Sequence, residues 1–287
     1  MIKKIKDFSE LVAFEHTIFS SSFMLIAMIV AIGAFENYDW WGLKLLLLCA
    51  LALISARNFA MAFNRYCDMK FDKDNPRTKN RPSVDGRISP NMILMFIVFN
   101  AVLFIFISYL INSLAFSLSL PFLFVLGIYS YFKRFSSLAH FVLGISLSLA
   151  PMAGVIAVSG EIPLWSVFLS FGVLFWVAGF DLLYSLQDID FDKEKKLFSI
   201  PAIYGAKNTL IISRISHIIT CIFWTLFVIY SNGGIYAYIG LVGAICMLIY
   251  EHYLVNKDFL NIPKAFFQTN GYLGFVFLIF IILDKIL

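Results

Sequence analysis

The stretch "NRYCDMKFDKDNPRTKNRP", Asn64 to Pro82, packs nine charged residues of both signs into a chain that is 61% hydrophobic and only 14% charged. Water-soluble domains carry about a quarter charged residues. A chain this poor in charge, with 32 Phe among its 287 residues, must turn most of its surface toward lipid. It reads as a polytopic membrane protein, and the fold turns on why its scarce charge gathers here.

Working outward from that stretch, apolar runs of the roughly 20 residues needed to cross a bilayer occur at 12–35, 43–63, 91–112, 114–132, 138–159, 164–183, 208–230, 234–255 and 269–287. These nine runs predict an all-α integral membrane bundle of nine transmembrane helices. No polar stretch between them is long enough for a soluble domain, so residues 1–287 read as one membrane domain. The first run is too long and begins too polar for a cleaved leader, and is expected to be a retained span. Cys49, Cys67, Cys221 and Cys246 show neither a CxxC pair nor metal-ligand spacing, which predicts no disulfide and no zinc.

Lys and Arg cluster in the N-terminal tail and in the second, fourth, sixth and eighth loops; the opposite side has only Lys44 and Lys285. By the positive-inside rule the N-terminus and those loops are expected to be cytoplasmic and the C-terminus external. The opening stretch thus begins at the cytoplasmic end of the second span. Asn64, Asp68 and Asp72 follow at i, i+4 and i+8, each step turning only about 40° around a helix, so three oxygen ligands share one face. A frayed, solvated loop would be a fair reading if this cluster stood alone.

It has a counterpart. The sixth span ends in "DLLYSLQDIDFDKEKK", which places Asp181, Asp188 and Asp192 close to one helical face, with Asp190 turned away if the helix continues. Carboxylates near a bilayer are rare unless they serve an ion, a substrate or a site. An offset of 124 residues maps Arg57 to Asp181, Asn64 to Asp188, Asp68 to Asp192, Tyr129 to Tyr253 and Lys133 to Lys257. The offset equals four spans, which predicts two parallel four-helix halves plus one helix around a central cavity, although Asp72 maps to Lys196 and the loops differ in length. Carboxylate and amide oxygens suit Mg²⁺, which binds through one or two carboxylates together with substrate phosphate. The adjoining Lys and Arg suit the phosphate oxygens. The remaining apolar volume would take a long hydrocarbon tail.

At these residues the chain resembles the UbiA superfamily of intramembrane prenyltransferases. Its first signature, N-x-x-x-D-x-x-x-D, appears as Asn64, Asp68 and Asp72, followed by "RTKNRP" (77–82) and "DGRIS" (85–89). Its second appears as Tyr184, Gln187, Asp188 and Asp192, and a Y-x-x-x-K element as Tyr129 and Lys133. The resemblance spans essentially the whole chain. It implies that Asn64, Asp68, Asp72, Asp188 and Asp192 bind two Mg²⁺ ions holding a polyprenyl diphosphate, and that Lys133, Tyr129 and either Arg77 or Lys79 stabilise the departing diphosphate, with Tyr184 and Gln187 also on the substrate. An electron-rich aromatic ring then attacks the allylic cation. Asp181 is the candidate base for the ring proton. "FEHTIFSSSF" (14–23) and "ARNFAMAFNR" (56–65) look like the 4-hydroxybenzoate polyprenyltransferase branch, particularly its menaquinone-pathway relatives that act on a dihydroxynaphthoate. Both acceptors are aromatic carboxylic acids, which implies quinone biosynthesis in a bacterial inner membrane. A haem or chlorophyll precursor is the nearer alternative acceptor.

Arg57 lies deeper on the face of Asn64, and an intramembrane Arg is a functional hypothesis by default. Two readings stay open: it meets the acceptor carboxylate, or it pairs with Asp181. His16 could contact substrate or simply pack. His140, His217 and His252 show no clustering in the sequence, Asn208 and Arg214 are expected to cap and anchor the seventh span, and Pro121, Pro151 and Gly154 to kink the fourth and fifth. A secondary transporter would also show repeats and intramembrane charge, but its repeats are often inverted and its helices break near the midplane.

Overall fold

In hydrocarbon an amide has no water to bond, and a helix is the one open backbone that satisfies every amide within its own segment. The computed structural model, which describes residues 2–13, 17–34 and 42–287, is accordingly helical wherever the chain is apolar and has no strand among the described residues. Its helices are α1 (Ile2–Leu11), α2 (Thr17–Ala34), α3 (Leu43–Asp74), α4 (Pro90–Ile111), α5 (Ser113–Phe132), α6 (Ala139–Ser159), α7 (Leu164–Ser185), α8 (Ile189–Glu194), α9 (Ile200–Tyr230), α10 (Ile235–Lys257), α11 (Ile262–Lys264) and α12 (Asn270–Ile286). Among the described residues eight helical segments are long and apolar enough to cross a membrane, and a ninth apolar helix, 20–33 within α2, is shorter.

The element that decides the site is α3. It does not stop at the end of its apolar run near residue 63 but continues to Asp74, so Asn64, Asp68 and Asp72 do ride on helix. The matching end of the sixth span differs from expectation. α7 stops at Ser185, a 3-10 turn covers 186–188, and α8 restarts at Ile189. Asp181 and Asp188 therefore do not share one continuous helical face. The seventh span begins earlier than the expected 208: Ser199 accepts from the amide of Ala202 at 3.3 Å and opens α9, with Pro201 in its first turn. Gly205, at φ 76°, breaks the new helix once, a conformation open to glycine. Asn208 and Arg214 are interior residues of α9 and do not cap it. Asn208 bonds the Tyr204 carbonyl at 3.0 Å and Arg214 bonds Asn256 at 2.8 Å. Pro121 and Pro151 sit inside α5 and α6 without ending either.

Each long helix packs on its successor, from α3 through α7 and then α9, α10 and α12, after which α12 meets α2 and α2 meets both α3 and α6. One apolar core joins α2, α6, α7, α9, α10 and α12 around Phe23, Trp176, Trp224 and Phe277; a second joins α3, α4 and α5 around Phe59, Ile93 and Phe104. The outward faces are equally apolar. On α4, Phe99, Val102, Phe106 and Tyr109 are all exposed, which in water would be an aggregation surface and in lipid is a solvated one.

Small residues let the helices close on one another. A Cβ on Gly144 of α6 would overlap the Leu174 carbonyl oxygen of α7, and one on Gly154 would lie 2.6 Å from the Met24 carbonyl oxygen of α2. Gly154 thus serves packing. Because the obstacles are backbone atoms, Gly144→Val is expected to force α6 and α7 apart at a cost of roughly 1–3 kcal/mol, typical of overpacking; thermal unfolding of the detergent-purified protein should show a lowered midpoint.

Polar groups cross the larger core in pairs. Asn270 of α12 accepts from the Trp176 indole at 2.8 Å and donates to buried Glu251 of α10 at 2.8 Å. His217 and His252, which spacing left ungrouped, meet at 2.9 Å between Nδ1 and Nε2, and His217 Nε2 lies 3.2 Å from the Trp176 carbonyl oxygen. A carbonyl only accepts, so neutral His217 carries its proton on Nε2 and takes the His252 proton on Nδ1.

Candidate active site

The two acidic helix ends come together, and the loop 75–89 is what joins them. Asp68 is 2% exposed and Asp72 6%; a carboxylate so far from water needs compensating charge. Asp68 receives Lys133 Nζ at 2.9 Å, Arg134 Nη2 at 3.3 Å and the Asn64 amide at 3.2 Å. Asp72 takes Arg81 Nη1 at 2.7 Å, and its backbone carbonyl is bonded by Thr78 at 2.9 Å. Arg77 crosses to the other ladder. It grips Asp188 with Nη2 at 2.5 Å and Nε at 3.1 Å, while Nη1 donates to the Tyr184 hydroxyl at 2.9 Å. Asn75 adds a 3.4 Å bond to Asp188. Burial works against the Arg77 charge, but the hydrogen bonds and field of Asp188 outweigh it and lift the guanidinium above its ordinary range.

Local geometry explains why Asp188 is available. It holds the N-cap position of α8, where a carboxylate would normally bond the first amides, yet its side chain makes no cap bond and turns to Arg77 instead. Asp192, one turn on, bonds Ser199 and lies in the field of Asp188, Lys133 and His140. Lys133 therefore stands between the ladders, anchored where its carbonyl accepts from Phe198 at 2.7 Å. Lys195 closes the arrangement from outside on Asp74 at 2.8 Å.

Of the remaining expected site residues, Lys79 is exposed and forms no ion pair among the described residues, so Arg77 is the one placed at a carboxylate. Gln187 is exposed and folds onto the Tyr184 carbonyl at 3.1 Å. Arg57 does not pair with Asp181. Its Nη2 reaches the Ala13 carbonyl at 3.4 Å and its Nε is buried without a partner; Asp181 is taken by His140, Nδ1 to Oδ2 at 2.7 Å. The pairing of the two halves through Arg57 and Asp181 is thereby overturned, because a nearer imidazole satisfies the carboxylate. His16 lies outside the described residues.

His140, Arg81, Arg134 and Asn75 are what the residue-by-residue reading missed. Arg81 and Asn75 were in view inside the charged stretch, and Arg134 stands beside Lys133. His140 also had a signal: the 124-residue offset carries His16 onto it.

Beneath this polar end opens a cavity between the two cores, walled by α2 to α6, with Arg57 and Tyr129 in its lining and apolar side chains such as Leu53, Phe104, Phe122 and Leu147 beyond. Tyr129 feels the charges of Arg65, Asp68 and Arg57, so the cavity's polar end abuts the first ladder. The donor set is all carboxylate and carboxamide oxygen, which fits a hard divalent cation. Among the described residues no three acidic, His or Cys side chains converge on one point. That suits an ion such as Mg²⁺, which keeps waters and completes its shell with phosphate.

A lipid-embedded helical bundle with paired acidic helix ends, a basic strap and an apolar cavity beneath them defines the class. The sequence pattern of the UbiA prenyltransferase family matches residues 21–280. The chain is 27% identical over 245 residues to the 4-hydroxybenzoate octaprenyltransferase of Vesicomyosocius okutanii, covering 84% of this chain and 88% of that protein. Among solved structures it is similar to the apo UbiA homolog from Aeropyrum pernix K1, with TM-score 0.83 and 30% identity over 94% of this chain and 98% of that one. The fold also matches a UbiA homolog from Archaeoglobus fulgidus bound to DMAPP and Mg²⁺, with TM-score 0.77 and 18% identity, covering 98% and 100% of the two chains. The chain belongs to the UbiA prenyltransferase family, in the branch of the 4-hydroxybenzoate polyprenyltransferases. It is a multi-pass membrane prenyltransferase, and the transporter reading falls away.

Proposed function

We propose that this chain transfers a polyprenyl group from a polyprenyl diphosphate to the ring of an aromatic acid, 4-hydroxybenzoate, in quinone biosynthesis. The observation that carries the acceptor class is Arg57. It lines the polar end of the cavity with Nε buried and unbonded, which is the condition of a guanidinium waiting for a planar carboxylate. The relatives' names favour 4-hydroxybenzoate over a dihydroxynaphthoate, and either acid would satisfy Arg57.

Asn64, Asp68, Asp72, Asp188 and Asp192 would hold divalent metal, two Mg²⁺ ions in this reading, which when bound neutralises charge developing on the diphosphate. Lys133, Arg77, Arg81 and Arg134 already lie on those carboxylates and supply the cations that meet the diphosphate oxygens, with Tyr129 and Tyr184 flanking. The cavity takes the hydrocarbon tail and keeps water from the carbocation. The ring proton leaves to the Asp181–His140 pair: with Nδ1–H donated to Asp181, His140 presents the lone pair of a buried, unpartnered Nε2. The whole chain acts as one domain, nine helices in two halves by this reading, with the acidic ends cytoplasmic in a bacterial inner membrane.

The test is a transfer assay on purified protein with radiolabelled polyprenyl diphosphate, offering 4-hydroxybenzoate and 1,4-dihydroxy-2-naphthoate separately. Product with 4-hydroxybenzoate is expected; product with the naphthoate alone would move the chain to the menaquinone route, and none with either would overturn the acceptor class. Arg57→Met, which keeps volume and removes the donors, should raise KM for the acid by about 10- to 100-fold, the worth of a charged hydrogen bond of roughly 1.5–3 kcal/mol, while KM for the diphosphate stays put.

A further inference from the structure

Arg87 lies outside every residue assigned to metal, diphosphate or acceptor, yet its guanidinium is closely bound. Nε donates to Asp85 Oδ2 at 2.7 Å, Nη1 to Glu10 Oε2 at 2.6 Å and Asp7 Oδ1 at 3.4 Å, and Nη2 to Glu10 Oε1 at 2.8 Å and the Asn80 carbonyl at 2.7 Å. Arginine alone presents enough donors, in a planar fork, to meet that many acceptors. The Arg87 amide adds a 3.0 Å bond to Asp85 Oδ1, and Gly86, at φ 87°, takes the left-handed turn that folds Asp85 back onto it.

These contacts join two parts of the molecule. Asp7 and Glu10 belong to α1, which at 10 residues is too short to cross a bilayer. α1 is firmly seated: Leu11 is fully buried in the second core, which also takes in Ile88, and the Phe8 ring lies 4.7 Å from that of Phe96 on α4. The Asn80 carbonyl belongs to the strap 75–89, in the peptide that leads directly into Arg81. Arg81 in turn grips Asp72 at 2.7 Å, and its carbonyl accepts from the amides of Val84 and Asp85 at 2.8 and 3.0 Å. A line of contacts therefore runs from α1 through Arg87 to the Asn80–Arg81 peptide and on to the first acidic ladder.

Fold stability does not account for this arrangement. The Arg87 side chain is 32% exposed and that of Glu10 47%, and ion pairs so open to water add little to the folded state. What the contacts fix is a position. We propose that Arg87 is a positioning residue for prenyl transfer, mooring the strap to α1 so that Arg81 is held at the diphosphate site. α1, which carries no catalytic group, thereby becomes part of diphosphate recognition. The inference rests on the reading of Arg81 as a diphosphate cation and goes beyond it to what holds that cation in place. With its backbone moored, Arg81 exchanges Asp72 oxygens for diphosphate oxygens by turning its side chain alone.

The experiment measures KM for octaprenyl diphosphate and for 4-hydroxybenzoate, with unfolding midpoints, in wild type, Arg87→Met, Arg87→Lys, Glu10→Ala, the Glu10→Ala/Arg87→Met double variant and Arg81→Met. Arg87→Met should raise KM for the diphosphate by about tenfold or more, the scale on which a displaced clamp is felt, and leave KM for the acid at its wild-type value. Arg87→Lys keeps the charge without the fork and should recover little of that loss. Glu10→Ala should raise the same KM by about threefold; on an exposed helix face alanine is well tolerated, so this variant reports even if Arg87→Met fails to fold. The double variant should be no worse than Arg87→Met, because both substitutions break one tether. A loss of folded enzyme would lower kcat and the midpoint without moving KM. Diphosphate KM at the wild-type value in Arg87→Met and Glu10→Ala, but raised in Arg81→Met, would overturn the mooring alone. Full rescue by Arg87→Lys, or effects that add in the double variant, would overturn it as well. A KM unmoved even in Arg81→Met would take Arg81 off the diphosphate, and the mooring with it.

Discussion

Asp68→Asn and Asp188→Asn are each expected to lower kcat by about a thousandfold or more, because each deletes a negative charge on which the proposed metal binding depends and with it stabilisation of the leaving diphosphate. The two substitutions should differ in their structural cost. Asp68 is nearly inaccessible and sits between Lys133 and Arg134; neutralising it leaves both cations without their anion, and since each is about a third exposed, water offsets part of that loss. Asp188 is 18% exposed at its side chain and shares Arg77 with Tyr184, so water and the phenol can take up the guanidinium. Loss of activity in Asp188→Asn with an unchanged unfolding midpoint is the expected outcome. Activity within about tenfold of wild type, with full Mg²⁺ dependence retained, would remove Asp188 from the metal set.

His140→Ala is expected to lower kcat by about a hundredfold, the lower end of what a positioned general base contributes. KM for the prenyl diphosphate should not change, because His140 bonds to Asp181 and none of the residues assigned to the diphosphate. Asp181→Asn should do less harm than His140→Ala: it removes the carboxylate that orients the imidazole but leaves the ring nitrogen in place. A deuterated acceptor ring separates this role from simple packing. If the pair removes the ring proton, weakening it makes proton loss slower and a primary isotope effect should emerge in the variants. Normal kcat in His140→Ala, or a rate loss without any isotope effect, would return the pair to structure.

The sequence carried the membrane class and the two acidic helix ends, because these depend on composition and helical spacing, both of which are local; the cavity was expected between two halves and is lined by α2 to α6 alone. Asn64, Asp68 and Asp72 could be placed on one face since α3 continues undisturbed through its charged end. Asp181 and Asp188 could not, because the 3-10 turn at 186–188 resets the helical phase and no residue there announces it. Pairings were the weakest part. The 124-residue offset carries Arg57 onto Asp181, but spacing does not show that His140, at the start of a different helix, stands nearer to the carboxylate. The same holds for His217 with His252 and for Trp176 with Asn270, which meet only through the packing of α7, α9, α10 and α12. The helix start at Ile200 was hidden by Lys207 and Asn208, which made a hydropathy scan begin the span too late.

The most direct test of the proposed metal site is the Mg²⁺ dependence of prenyl transfer by the purified protein. Chelation with EDTA should abolish formation of prenylated 4-hydroxybenzoate, and added Mg²⁺ should restore it in wild type but in neither Asp68→Asn nor Asp188→Asn. Transfer that continues undiminished in chelator would contradict the assignment of the two acidic helix ends.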